Sequence, residues 1–411
     1  MSDDPAGRPV GGVRPRVALL VGCVALFTDM LVYGIAIPVL PLLPATVDAG
    51  PAATGVLFAV YALAMIVATP VAGRLVDRVG SRRPLLVALL GLAASTLLFA
   101  VGGPFALLVV ARVLQGLAAG MAWVASLSLI AANTPVADRG RSMGLAMSMV
   151  SVGVLVGPPL AGALVDAFGP RAPFLAATAV ALLDGVLRVT LLRSDPPQIG
   201  PTAGPGAVMR VRGSGSVLTV VLVGAATLAV IGPVLPVHLA SDQGLGPAAV
   251  GLLFALLVLS GAVLNPVVGG LVGRVDARLL TGFGGGLAVV ALAGLGLAGV
   301  TWQVAVCMAV LGASNAFLLA PATTLIGHQG MRASPPALGA AYAAFNLAYA
   351  AGLVVGPLLG GGLTDAGGFR TAVTAVAALV VLATVTGLLR LPGGKSSTRR
   401  SMSSDTPSGS I

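Results

Sequence analysis

The sequence predicts an all-α membrane protein of twelve transmembrane helices, arranged as two pseudo-symmetric six-helix halves. The prediction depends on composition, on the spacing of apolar segments and on an internal repeat. Of the 411 residues, 57% are hydrophobic and 9% are charged, and the mean hydropathy is +1.03. Soluble domains carry about 25% charged residues, so the composition excludes a soluble fold.

Apolar segments that are long enough to cross a bilayer, about 20 residues, recur twelve times. They lie at about 17–43, 52–73, 84–102, 105–132, 140–166, 171–192, 217–240, 247–272, 279–300, 303–329, 335–364 and 369–391. The first is too long for a signal-peptide core and should remain as the first membrane helix.

These segments divide the chain into five regions. We predict a cytoplasmic tail at 1–16, a first half at 17–192, a cytoplasmic linker at 193–216, a second half at 217–391 and a disordered cytoplasmic tail at 392–411. The linker is rich in Pro, Gly and Ser, and the last region is rich in Ser, as expected of segments without a packed core.

The two halves repeat each other in sequence. The P-V-L-P sequence at 38–41 returns at 233–236, and Gly55 returns as Gly251. Secondary transporters are often built from such repeats, with substrate bound near the membrane midplane between them.

The basic residues predict the orientation of the chain. With the N-terminus in the cytoplasm, cytoplasmic segments carry nineteen basic residues and the opposite side carries Arg171 and Arg370. This asymmetry predicts that both termini are cytoplasmic. The net charge of +10 is therefore a topological signal, and no nucleic-acid partner is expected. Arginine outnumbers lysine 22 to 1, which is typical of a GC-rich bacterial genome and suggests a bacterial inner membrane.

Asp29 is the most informative single residue, because it lies about twelve residues into the first apolar segment, near the midplane. A carboxyl there costs about 2.5–3.5 kcal/mol on insertion scales and should face the protein interior or a wet cavity. It serves either as a proton and cation site or as a carboxyl that only hydrogen-bonds a neighbouring helix.

The loop after segment 2 carries a recognisable pattern. The sequence at 73–83 reads G-R-L-V-D-R-V-G-S-R-R, with Asp77 at its centre, and it resembles the G-x-L-a-D-r-x-G-r-k signature of the major facilitator superfamily. The matching residues are Gly73, Leu75, Asp77, Arg78, Gly80 and Arg82. The resemblance implies the major facilitator fold and a cytoplasmic gate in which Asp77 contacts the start of segment 11. Alternatively, Asp77 only caps a turn.

Two further motifs resemble those of the same superfamily. Arg112, Gln115 and Gly116 match R-x-x-Q-G in helix 4, and the resemblance implies that Arg112 takes part in proton transfer. A purely structural buried arginine is the alternative. Segment 5 matches the antiporter motif G(x8)G(x3)GPxxGG at Gly144, Gly153, Gly157, Pro158 and Gly162. Its glycines are expected to form the interface at which the halves move.

Segments 1 and 11 resemble the vesicular amine transporter branch of the drug:proton antiporters. In that branch an acid in helix 1 pairs with the substrate amine, which implies this role for Asp29. The branch tends to carry a second acid in helix 11, where this chain has Asn346. Tyr33, Trp123 and Tyr349 are further candidates to line a cavity, although each could equally belong to the core.

Asp184 and Arg188 lie four residues apart in segment 6, and we predict that they neutralise each other across one helical turn. No set of His, Cys and acidic residues has the spacing of an enzyme site or metal site, and there is no P-loop for ATP. We therefore expect a transporter that is not an enzyme and needs no cofactor or metal.

The sequence thus predicts a proton-coupled antiporter that exports small lipophilic compounds, organic cations among them, by alternating access. Its expected partners are protons, a small-molecule substrate and the lipid bilayer, and a monomer is expected. The alternative is uptake or facilitated diffusion of a neutral solute such as a sugar or nucleoside.

Overall fold

The computed structural model describes residues 14–135, 138–192, 209–211, 213–272, 274–333 and 338–390. These residues form helices joined by short connections, and no strand occurs among them. The helices are α1 Pro15–Val39, α2 Pro44–Val79, α3 Arg82–Val101, α4 Phe105–Asn133, α5 Arg139–Phe168, α6 Ala172–Leu191, α7 Ser214–Ala229, α8 Leu235–Gln243, α9 Pro247–Leu271, α10 Ala277–Leu297, α11 Thr301–Arg332 and α12 Leu338–Arg390.

The predicted all-α membrane fold is confirmed. Within the described ranges, ten helices are long and apolar enough to cross a membrane. The helix α12 contains segments 11 and 12, which a bend at Gly368, with φ 81°, separates. The short helices α7 and α8 together correspond to segment 7. The chain therefore crosses the membrane many times, in the order of segments that the sequence predicts.

Segments 1 and 7 are less continuous than predicted. The helix α1 ends at Val39 and is followed by a 3₁₀ turn at Leu40–Leu42, and segment 7 is interrupted between Ala229 and Leu235. Both interruptions fall at the repeated P-V-L-P sequences. Proline has no N–H to donate and clashes with the preceding turn, so two prolines three positions apart interrupt a helix.

Most of the predicted tails and linker lie outside the described residues, at 1–13, 193–208 and 391–411. The boundaries that we place there stay predictions.

We call the end of the helical bundle that holds Arg74, Arg78 and Arg278 the basic end, and the opposite end the far end. At the far end, α2 of the first half contacts α12 of the second half through glycines. A Cβ on Gly55 would overlap the carbonyl oxygen of Pro357. Such close backbone contact is how small residues hold membrane helices together.

The helices α5 and α9 make the equivalent contact between the halves. A Cβ on Gly162 would overlap the carbonyl oxygen of Pro247, and a Cβ on Gly251 would overlap that of Pro158. Each of these two glycine-lined contacts joins the first half to the second, and together they hold the halves against each other at the far end.

The glycines of the basic end have different surroundings. Among the described residues, Gly73, Gly144, Gly269 and Gly270 have no heavy atom within 4 Å of the position that a Cβ would take. No close backbone contact with another described residue therefore forms at these four positions.

Adding one methyl group at the far end should separate the halves there. We expect Gly361→Ala to raise the labelling rate of a cysteine introduced at Thr54 about tenfold. A Cβ at Gly361 overlaps the Pro51 carbonyl oxygen, and such overpacking costs about 1–3 kcal/mol. The rate is measured on purified protein without its native cysteines. Gly362→Ala is the matched control, because its Cβ meets no atom within 4 Å. Equal rates in both variants would contradict the tight contact at Gly361.

Candidate functional site

Asp29 is buried in the first half with only 2% of its surface exposed. It lies in the middle of α1, and its Oδ2 atom has no hydrogen-bond partner among the described residues. A buried carboxylate oxygen without a donor is costly, so this atom calls for a proton or a positively charged group.

Arg188 and Asp184 form a buried ion pair on α6, as the sequence predicts. Arg188 Nε donates to Asp184 Oδ1 at 3.0 Å, and Nη2 donates to Oδ2. Arg188 Nη1 also donates to the carbonyl oxygen of Leu85 on α3, at 2.9 Å. The guanidinium is thus held by two parallel bonds to the carboxylate and one to the backbone, the geometry that suits arginine best.

This ion pair belongs to the surroundings of Asp29. The charge of Arg188 acts on the Asp29 carboxyl. The hydroxyl of Thr28 approaches Asp184 but makes no hydrogen bond of ordinary geometry. The cluster therefore contains two carboxyls and one guanidinium, and Asp184 takes both direct ionic bonds of that guanidinium. Within the described part of the chain, Asp29 is left as the acid of this cluster without an ion-pair partner.

Arg112 is completely buried on α4, and its guanidinium lies over two aromatic rings. Its Nη1 donates to Gln115 Oε1 at 2.7 Å, and its guanidinium carbon lies 4.6 Å from the Phe58 ring centroid and 5.1 Å from that of Tyr61. Its Nε and Nη2 atoms have no partner among the described residues. Cation–π contacts of this kind stabilise a desolvated guanidinium by about 2 kcal/mol. Arg112 makes no ion pair with Asp29 among these residues.

Gly116 explains how Arg112 reaches these rings. A Cβ on Gly116 would overlap the carbonyl oxygen of Tyr61, so only glycine lets α4 approach α2 at this level. Gly116, the last residue of the R-x-x-Q-G motif, therefore has a packing role, and Gln115 accepts a hydrogen bond from the arginine.

Three tyrosines from both halves converge near the midplane. The Tyr33 and Tyr61 rings have centroids 5.1 Å apart, and Tyr349 of α12 interacts electrostatically with both. Tyr61 also interacts electrostatically with Asp29 and with Arg112. Tyr61 thus interacts with both the unpaired acid and the buried arginine, and the only sign of it in the sequence is an aromatic residue in segment 2.

The remaining cavity candidates are not part of this group. Trp123 packs against a separate cluster that includes Cys23 and Leu26. Asn346 is exposed and lies one helical turn from Tyr349 on α12, towards the basic end.

The gate motif lies at the basic end, where Asp77 is exposed and makes no ion pair among the described residues. Its expected partner, the start of segment 11 near Pro335, lies outside them. Gly80 has φ 74° and its N–H donates to the Val76 carbonyl at 2.9 Å, so glycine is needed to end α2 here. Arg82 then begins α3.

The antiporter-motif glycines differ from the expected single interface. Cβ atoms on Gly153 and Gly157 would meet the backbone of α1, 2.7 Å from the Phe27 carbonyl oxygen and 2.8 Å from the Leu31 carbonyl oxygen respectively. They therefore hold α5 against α1 within the first half, whereas Pro158 and Gly162 contact described residues of the second half. Sequence spacing places these glycines on one helix but does not say which helix faces them.

Comparison with known proteins agrees with the fold. A family model described as the Major Facilitator Superfamily matches residues 22–226 and 217–407. The chain also resembles a bacterial homolog of the human lysosomal transporter Spinster in an inward-facing, unoccupied conformation, with a TM-score of 0.74, 14% identity, and coverage of 95% of this chain and 98% of that one. For the nucleoside transporter NupG the TM-score is 0.74 at 13% identity, with 91% and 100% covered.

Relatives in sequence include an amine transporter and a probable acetylcholine transporter. The chromaffin granule amine transporter of Rattus norvegicus is 29% identical over 374 residues, which cover 86% of this chain and 68% of that protein. The probable vesicular acetylcholine transporter-B of Danio rerio is 37% identical over 189 residues, 44% of this chain and 38% of that protein. The chain thus matches about two-fifths of the length of the second relative. Because the family model matches both halves, the chain belongs to the Major Facilitator Superfamily of membrane transporters.

Proposed function

We propose that this chain is a proton-coupled antiporter that exports small lipophilic organic cations. The observation that carries the proposal is the buried Asp29 carboxyl, whose Oδ2 atom has no partner among the described residues. A single ionisable group at the midplane can hold a proton or a cation but not both at full affinity, and this exclusion couples the two fluxes.

The surroundings of Asp29 support a cationic substrate. Tyr33 and Tyr61 lie nearby with their rings in contact, and aromatic faces attract organic ammonium groups. The relatives named as amine and acetylcholine transporters support the same class of substrate. Lipophilic drugs and metabolites that carry an amine fit this description.

The arrangement of the halves supports alternating access. The far end is closed by two glycine contacts, at Gly55 and Gly162, while Asp77 at the basic end is exposed. If the basic end is cytoplasmic, as the arginines predict, the state described faces the cytoplasm. Substrate would then bind from the cytoplasm, and protons from the outside would displace it after the far end opens.

Reconstituted vesicles test the proposal directly. Purified protein is placed in liposomes, and transport of the lipophilic cation tetraphenylphosphonium is followed with the membrane potential clamped and a pH gradient imposed. We expect the cation to accumulate on the acidic side, because each proton that leaves through the protein drives a cation in the opposite direction.

A protonophore provides the matched control, because it collapses the gradient without touching the protein. Accumulation should then fall to the level of protein-free liposomes. Equal movement with and without the gradient would contradict antiport and favour facilitated diffusion.

A further inference from the structure

The two P-V-L-P repeats leave irregular backbone at the far end. At 38–41 the first repeat ends α1, and at 233–236 the second separates α7 from α8. Irregular backbone at membrane depth is tolerated where it is buried in protein or lines a wet cavity, and interrupted helices often form the binding sites of transporters. Both repeats should therefore border a cavity.

A cavity of about 310 Å³ lies between the two repeats. Its wall includes Pro41 and Thr46 from the first half and Val234, Asp242 and Phe369 from the second. The side chain of Asp242 is 59% exposed, so the cavity is open to solution at the far end. A small solute could enter it in the state described, without any movement of the halves.

The chemistry of the wall suits an organic cation. Asp242 supplies a carboxylate, which accepts from Ser241 Oγ at 2.6 Å and lies 3.2 Å from His238 Nδ1. The His238 ring stacks on Phe369 with centroids 4.1 Å apart. A second carboxylate is close by, because Asp365 Oδ1 lies 3.7 Å from the Cβ position of Gly50, which also lines the cavity. A carboxylate in a wall that is otherwise largely apolar supplies the counter-charge that a small organic cation needs.

The charged part of this wall occurs in one half only. At the repeat offset of 195, His238 corresponds to Leu43 and Asp242 to Val47. A cavity left over from two broken helices would need neither an acid nor a histidine in either half. The acid and the histidine are therefore features of the second half that the repeat itself does not require.

We propose that this cavity is a second binding site for a small organic cation, with Asp242 as its counter-charge. The inference rests on the proposed export of cations, since the cavity lies between the halves at the end through which the substrate would leave. A cation released from Asp29 would meet Asp242 before it reaches the solution.

Equilibrium dialysis with radiolabelled tetraethylammonium tests this site on the purified full chain. We expect two equivalents bound to the native protein and one to Asp242→Asn, because the second site loses the carboxylate that balances the charge of the cation. Asp29→Asn should also leave one equivalent, and the double variant none. Asp48→Asn removes an exposed acid at the same end and should leave both equivalents in place.

The possible results separate the two proposals. If the native protein binds one equivalent of the cation and Asp29→Asn binds none, the result would overturn the second site and leave the proposed function intact. If the native protein binds two equivalents, and Asp242→Asn loses one while Asp29→Asn loses none, the result would support the second site and contradict the role of Asp29. A loss in Asp48→Asn equal to that in Asp242→Asn would overturn the second site, because surface charge alone would then explain binding.

Discussion

Asp29→Asn should reduce proton-driven export of a lipophilic cationic dye to the rate of cells that lack the protein. Asparagine has nearly the same shape, so the packing of α1 is preserved, but it cannot ionise. It can therefore neither carry a proton nor balance the charge of a cation at the midplane. Efflux is measured in energised cells, with the amount of protein in the membrane determined for every variant.

Asp29→Glu is the informative companion variant, because it retains a carboxyl about one methylene further from the backbone. We expect it to keep part of the gradient-dependent efflux. Asp48→Asn, an exposed acid at the far end, should export at the native rate. If Asp29→Asn exports as well as the native protein, the coupling group lies elsewhere.

Arg188→Gln should destabilise the protein by about 3–5 kcal/mol, the cost of breaking a buried ion pair by removing one partner. The variant leaves Asp184 charged and buried, and it also removes a donor to the Leu85 carbonyl oxygen. Chemical unfolding in mixed micelles would measure the loss in the free energy of unfolding.

Two further variants separate the ion pair from general effects of charge. Replacing both partners, as in Asp184→Leu with Arg188→Met, leaves no unpaired charge and should recover most of the stability. Arg171→Gln removes an exposed arginine from the start of the same helix, and its effect should be below about 0.5 kcal/mol. An equally small loss for Arg188→Gln would show that the pair is not important for stability.

The architecture was predictable because it follows from strong local signals. Apolar runs of membrane length mark the spanning segments and their order, while the orientation that the arginines in alternate loops indicate stays a prediction. The Asp184–Arg188 pair was also predictable, since both residues lie on one helix and the spacing of four fixes their distance. Burial of Asp29 follows from the cost of exposing a carboxyl to lipid.

Contacts between different helices were not predictable from one sequence. Nothing in segment 2 marks Tyr61 as the residue beneath Arg112, because its role depends on Gly116 from another helix. Likewise, the Arg188 charge acts on Asp29 only because α6 packs beside α1. The interruption of segment 7 was missed for a different reason: its apolar run continues across the break, and the two prolines were read as a repeat instead of a helix end.

The connections at the far end are very short. Those between helices at 102–104, 169–171, 244–246 and 298–300 have three residues each, and the last two segments turn at a single glycine, Gly368. If the basic end is cytoplasmic, as the arginines predict, almost no hydrophilic chain has to be translocated across the bilayer during biosynthesis, so consecutive segments can insert as hairpins. A protease added on that side has very little extended backbone to cleave. An epitope tag inserted into one of these connections would be longer than the connection itself.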